Sequence, residues 1–205
     1  DHGYVAISLI KREKCKEAIC ADINKGPIER AKEHIDEMGF SDRIKCRLSD
    51  GFKAFDRGEC QSAIIAGMGG ALIKSILKER MDIARELSQL VLSPQSELEE
   101  FRRFLSEERF AILDERLIYD EGKYYTIISC VYDGKEHLLN DAELVYGPVL
   151  LAQKDQTLYS YLLHEKAVYS DLIDELTKKG IMDRVATISK KLSLNEEVMK
   201  IYEVP

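Results

Sequence analysis

Short apolar runs alternate with runs of helical period through the first hundred residues of this chain, and few folds accept that rhythm. Residues 17–22, 43–48, 63–66 and 89–92 read as short buried strands. Each is followed by a helical pattern. Gly26-Pro27 opens a helix to about Met38, with Gly39 as its left-handed stop, and a short helix is expected at 52–55. Another runs through Leu77, and Ser96 is expected to cap a helix from 97 to 105, with Glu100 near its first turn. Residues 1–10 read as a loop entering a helix that precedes the series. Strand–helix alternation of this kind predicts a mainly parallel, doubly wound sheet with helices on both faces.

The run Ala66-Gly67-Met68-Gly69-Gly70 marks the third strand end. Glycine has no Cβ and tolerates positive φ, so backbone here can come close to a ligand. In an open α/β sheet, ligands bind just beyond the carboxyl ends of strands. A plain tight bend between strand and helix explains the same residues.

At Phe110 the rhythm changes. Residues 110–119 and 124–132 are strand-like and flank Asp120-Glu121-Gly122-Lys123, the pattern of an antiparallel hairpin. From about Asn140, Leu158, Tyr161, Leu162, Val168, Tyr169, Leu172, Ile173 and Leu176 recur at helical spacing; Gly180 ends that helix, and a second covers about 183–192. We expect an intramolecular helical hairpin and a monomer, since the register is too short for a sustained coiled coil. The expected division is an α/β domain at 1–136 and a helical domain at 137–205.

The 205 residues carry a formal net charge of −7 and are 45% hydrophobic. That balance excludes a uniformly cationic surface, so nucleic acid would be held by local patches. No stretch approaches the roughly 18 apolar residues of a membrane span, so no membrane partner and a cytoplasmic location are expected. The five cysteines form no C-x-x-C pair and are read as reduced packing residues, with no metal expected.

Two acids sit at successive strand ends. Asp22, at the end of the first strand, is placed like the acid that accepts from both ribose hydroxyls in nucleotide-binding α/β proteins. Asp50, at the end of the second, can accept from an adenine amino group, with Gly51 leaving room for the ring. Each is equally a helix cap or turn aspartate.

The motifs Asp1-His2-Gly3-Tyr4, Gly26-Pro27, Asp50-Gly51, Ala66-Gly67-Met68-Gly69-Gly70, Glu121-Gly122-Lys123-Tyr124 and Gly147-Pro148 resemble, in order and spacing, the bacterial tRNA adenine(22)-N1 methyltransferase family over almost the whole chain. The resemblance implies a Rossmann-like class I methyltransferase sheet closed by an antiparallel hairpin, with a C-terminal coiled-coil-like helical extension. It implies methyl transfer from S-adenosylmethionine to N1 of an adenine in the D-arm region of tRNA. It also implies that an N-terminal strand and the family's Asp-Ile-Gly-Ser segment are missing before Asp1. The implied cofactor-binding residues are Asp22, Ile23, Asp50, Gly51, Ala66, Gly67 and Met68.

For catalysis the resemblance points to Asp1, His2 and Tyr4. Adenine N1 carries its own lone pair, so the protein must align it, exclude water and manage charge on the base. Asp1 matches the acid of the family's Ser-Asp-His motif and is assigned to that charge or to an N6 proton, against a role as helix cap. His2 positions the base or bonds nearby backbone, Tyr4 lines the pocket, and Met68 covers a ring face or packs in the core. Two positions depart from the family: Asp22 replaces a glutamate, and Ser93-Pro94-Gln95 stands where Gln-Pro-Asn is common.

Candidate tRNA contacts are Lys53/Arg57, Arg102/Arg103, Lys178/Lys179 and Lys190/Lys191, each equally a solvated surface pair. From His137 onward 8 Lys/Arg face 11 Asp/Glu, so the extension is not a basic arm. Competing readings are a non-catalytic methyltransferase-fold binding module and a small-molecule methyltransferase; a nicotinamide oxidoreductase is disfavoured because no G-x-G-x-x-G occurs.

Overall fold

The computed structural model describes residues 2–203, which fall into two compact units. One comprises the chain up to Cys60 together with Ser75–Glu86; the other comprises Gln61–Lys74 and the chain from Leu87 onward.

In the first unit, α1 (Tyr4–Lys11), β1 (Ala18–Asp22), α2 (Lys25–Glu37) and β2 (Ile44–Leu48) follow one another as the periodicity predicts. The strands pair in parallel, Ala18 opposite Ile44 and Asp22 opposite Leu48. Apolar residues three and four apart put Ala6, Ile7 and Ile10 of α1 and Ala31 and Ile35 of α2 into one buried cluster with Ile44. Gly39 ends α2 at φ 72°, as expected.

The short helix expected at 52–55 is instead a run of turns, in which Lys53 and Phe55 bond back only three residues, to Asp50 and Phe52. The Ser49 hydroxyl donates to Gly51 O and accepts from Ala54 N, so a side chain takes the bonds a helix would need. Arg47 clamps the same loop. Its guanidinium holds Glu59 in a two-pronged ion pair, donates to Ala54 O at 2.8 Å and lies 4.6 Å over the Phe55 ring.

The second unit carries β3 (Ser62–Met68), β4 (Gln89–Pro94), β5 (Phe110–Asp120) and β6 (Lys123–Tyr132) in the order β3-β4-β6-β5. Only β3 and β4 are parallel; β6 is antiparallel to both its neighbours. The β5–β6 hairpin turns on Glu121 and Gly122, both at positive φ. Hydrogen bonding makes two ladders, one parallel and one mixed, and the mixed one carries the expected antiparallel hairpin. The ladder of β1 ends with β2, and the hairpin reverses strand direction beside β4.

Helix α3 (Gly70–Glu79) starts in this unit and ends in the first, which also holds α4 (Met81–Ala84). Helix α5 (Leu98–Glu107) begins after Glu97, which sits at φ 58° with no side-chain cap. Ser96 is therefore not its cap: its carbonyl accepts from Gly70 N, which holds that segment against α3. Then come α6 (Asp141–Tyr146), started by an Asn140/Glu143 capping box, and α7 (Pro148–Ala152).

The expected helical hairpin is present as α8 (Gln156–Lys178) and α9 (Met182–Glu203), separated by Gly180. α9 runs well beyond the expected end near 192, because Asn195 and Val198 continue its buried face. Leu158, Leu162 and Val198 pack with Tyr146, Leu150 and Leu151 in one cluster. Helices α6 to α9 fall in the same compact unit as the four-stranded sheet. Among the described residues no helix is long and apolar enough to cross a membrane.

Candidate active site

Parallel pairing in the first unit brings two strand ends side by side. Ser49 N donates to Asp22 O at 2.9 Å, so the segment leaving β2 stays in step with the end of β1. Asp22 is half-buried; its Oδ1 accepts from Asn24 N at 2.8 Å, and Oδ2 takes no hydrogen bond among the described residues. A carboxylate with one oxygen fixed by the turn and the other free suits a bidentate diol such as a ribose. Ile23 beside it is 61% exposed, an apolar face available to a ring.

Asp50 is engaged by Lys53, whose Nζ lies 2.5 Å from Oδ2 and 3.1 Å from Glu79. The two carboxylates hold the Lys53 ammonium above its usual pKa through hydrogen bonds. One oxygen of Asp50 remains for a ligand. Gly51 adopts φ 55°, and a Cβ there would lie 2.7 Å from Ile76 Cγ2. Only glycine fits that corner.

The expected catalytic residues begin at Asp1, which lies outside the described residues. His2, Tyr4 and His34 form an aromatic group, with Tyr4 stacked on His34 at 4.9 Å and on His2 at 5.8 Å. Arg30 Nε donates to His2 Nε2 at 3.1 Å, and the His2 carbonyl meets His34 Nδ1. Desolvation, followed by the charges of Arg30 and His34, holds the His2 imidazole below its ordinary pKa. Its Nε2 accepts the bond from Arg30, so His2 is held by its neighbours in this group. Tyr4 is 60% exposed.

In the second unit the glycine run resolves into three parts. β3 continues through it to Met68, with a register shift between Ala66 and Met68, and Gly67 supplies the φ of 77° that the bulge needs. Gly70 opens α3 so close to Ser96 that a Cβ would sit 2.7 Å from its carbonyl oxygen. Met68 O accepts from Gln95 N, and Ala71 N donates to Glu97 Oε2 at 2.8 Å. The turn after β3 is thus sewn to the loop after β4. A Cβ at Gly67 would meet nothing within 4 Å, so that backbone is open. Met68 is partly exposed, so it is not a core residue.

Several candidate tRNA contacts are already spent. Arg102 is buried and paired with Glu115; Arg103 pairs with Glu99, Arg57 with Glu86, Lys179 with Glu175 and Lys53 with Asp50. Lys178, Lys190 and Lys191 are exposed with no ion pair among the described residues. Two of these pairings, Arg102–Glu115 and Arg57–Glu86, join distant segments and were illegible in the sequence; the other three lie three or four residues apart.

The cysteines are free, with Cys20 opposite Cys46 across the β1–β2 ladder. Burial pushes the Cys20 thiol up to about 11 and the Cys130 thiol to about 12. Among the described residues no three His, Cys, Asp or Glu side chains gather to hold a metal.

The chain as a whole is similar to known proteins. Residues 1–197 match the family model for tRNA (adenine(22)-N(1))-methyltransferase, TrmK. A Bacillus subtilis protein of that name is 27% identical over 97% of this chain and 87% of its own length. The crystal structure of the B. subtilis m1A22 tRNA methyltransferase superposes with a TM-score of 0.82 at 26% identity, covering 97% of this chain and 88% of that one. A Streptococcus pneumoniae homologue, solved in complex with S-adenosyl-L-methionine, superposes with a TM-score of 0.86 at 26% identity over 97% and 88% of the two chains. With an α/β methyltransferase fold, two acids at adjacent strand ends and a family match spanning nearly its whole length, this chain belongs to the tRNA (adenine(22)-N(1))-methyltransferase family.

Proposed function

We propose that this chain performs its family's reaction, S-adenosylmethionine-dependent methyl transfer to N1 of adenine 22 in tRNA, with the residues identified above. S-adenosylmethionine supplies the methyl group. Asp22 accepts from the ribose hydroxyls of the cofactor through its free Oδ2, and Ile23 offers an apolar face to the adenine. Asp50 accepts from the adenine amino group with the oxygen that Lys53 leaves open, and Gly51 keeps the corner clear. Ala66, Gly67 and Met68 are assigned to the cofactor on their place at a strand end, where backbone is unobstructed.

Transfer to N1 puts positive charge on the target base. Asp1 is assigned to balance that charge or accept an N6 proton, His2 and Tyr4 to position the base. Of the candidate pairs read from the sequence, Lys178, Lys190 and Lys191 keep their charge for tRNA phosphates, in a protein that acts as a monomer in the cytoplasm. The observation carrying this reading is the family match over residues 1–197, joined to the Asp22 carboxylate with an unused oxygen at a strand end.

The test is incubation of the chain with unmodified tRNA and methyl-labelled S-adenosylmethionine, followed by nucleoside analysis. The expected product is 1-methyladenosine at position 22. Cofactor binding with no 1-methyladenosine formed overturns the reading in favour of a binding module. Asp1→Ala is expected to keep cofactor affinity and lose at least 100-fold in turnover, the low end of a general-base contribution; unchanged turnover removes Asp1 from catalysis.

A further inference from the structure

The second unit contains a recess of about 530 Å³ at the carboxyl end of β4, within the usual size range of ligand pockets. Gln95, Lys123, Tyr124, Tyr146, Tyr161 and Leu158 are among its walls. None of its lining residues is acidic, although the chain carries a net charge of −7. The cations there are Lys123, exposed at the hairpin, and Arg102, already neutralised by Glu115. Lys123 and Tyr124 belong to the Glu121–Tyr124 motif, to which the proposed function assigns no role.

The aromatic walls are held in place. Tyr124 and Tyr161 meet edge to face with centroids 4.8 Å apart. Tyr161 and Tyr146 donate their hydroxyls to opposite oxygens of Glu165, each at 3.0 Å, and Asn195 Nδ2 adds a longer contact. Burial and the Glu165 charge raise both phenols above their ordinary range, so they stay neutral donors and keep their rings aligned. Polar hydroxyls are turned away to Glu165 and ring surface is left for the recess. The bond from Gln95 N to Met68 O ties the rim to the glycine bulge of β3.

We propose that this recess takes an unstacked nucleobase of the tRNA substrate, which stacks against Tyr124 and Tyr161 while Gln95 reads a base edge and Lys123 meets the adjoining phosphate. Flat rings, one neutral amide, an exposed cation and no carboxylate match a nucleotide better than a cationic ligand. The base is either the methylated adenine, extruded from its stack, or a neighbour that holds the strand in register. The proposal rests on tRNA being the substrate.

Transcripts carrying 8-azidoadenosine at position 22, or at positions on either side, are irradiated with the unaltered chain, and the labelled peptide is mapped by mass spectrometry. Label on Tyr124 or Tyr161 from position 22 identifies the target adenine as occupant; label from a neighbouring position identifies a register-holding base. Label that falls elsewhere from every position overturns the proposal. Tyr124→Ala is expected to raise KM for tRNA about tenfold or more with S-adenosylmethionine affinity unchanged, and Tyr124→Phe to restore it. An unchanged KM in a cofactor-binding Tyr124→Ala protein also overturns it. Methylation with label outside the recess would reject the recess and leave the activity standing; label in the recess without methylation would do the reverse.

Discussion

Arg102 donates from Nε to Glu115 Oε1 at 2.8 Å, and both side chains are essentially excluded from solvent, at 1% and 0% exposure. The same guanidinium donates to the carbonyls of Leu144 and Val145, while Glu115 Oε2 accepts from Val149 N at 3.0 Å. One ion pair therefore joins α5, β5, α6 and α7, and its hydrogen bonds offset the cost of burying two charges.

Removing one partner leaves the other charged and buried. Arg102→Met is expected to destabilise the protein by about 3–5 kcal/mol, and the double variant Arg102→Met/Glu115→Leu to recover much of that loss. Urea denaturation of the three proteins checks this. A double variant no more stable than Arg102→Met would refute the account that the loss comes from leaving Glu115 charged and unpaired.

Gly51→Ala places a methyl group against Ile76 and forces a side chain into φ 55°. A cost of about 1–3 kcal/mol is expected. Since Gly51 follows Asp50, cofactor affinity measured by calorimetry is expected to fall with stability.

Asp22→Asn retains the turn bond to Asn24 N through its amide oxygen but replaces the free carboxylate oxygen with a donor. Cofactor affinity is expected to fall by about 10-fold or more, because charge-assisted hydrogen bonds carry about 1.5–3 kcal/mol. Thermal stability without cofactor is expected to be unchanged. Equal affinity in both proteins would remove Asp22 from the ribose role.

Hydrogen bonds from Arg47, then from the Asp56 backbone, hold the Glu59 carboxyl down to about 2, against an ordinary value of 4.5. A depressed folded-state pKa stabilises the protein above the unfolded value and is lost as pH falls toward the folded one. Between pH 4.5 and 2 the native protein is therefore expected to lose stability more steeply than Glu59→Gln, with parallel profiles above pH 5. Acid denaturation of the pair measures it, and identical slopes below pH 4.5 would refute the clamp.

The double variant Lys190→Ala/Lys191→Ala is expected to weaken tRNA binding and to flatten its salt dependence by about 1.5 in the slope of log K against log salt. An unchanged slope would show that these lysines face only water. Arg57→Ala, whose charge is paired with Glu86, is expected to change the slope less.

The sequence by itself determined the longer elements and their order, because periodicity and helix stops are local, while the short helices α4, α6 and α7 carried no such signal. α1, α2 and the strand ends at Asp22 and Asp50 were legible from apolar spacing and Gly39, and the motif series from His2 to Pro148 carried the family. Tertiary structure alone decided which strands share a ladder, that the segment after Gly51 turns without forming a helix, and that Ser96 serves α3 by its carbonyl. It also decided which charges are available: Arg102 and Lys178 look alike in sequence, yet one is locked to Glu115 and the other is exposed. Burial and the pairings Arg102–Glu115 and Arg57–Glu86 depend on residues far apart in the chain, and no local pattern encodes them. The same holds for the tyrosine recess, whose walls come from β6, α6 and α8 and meet only when the chain is folded.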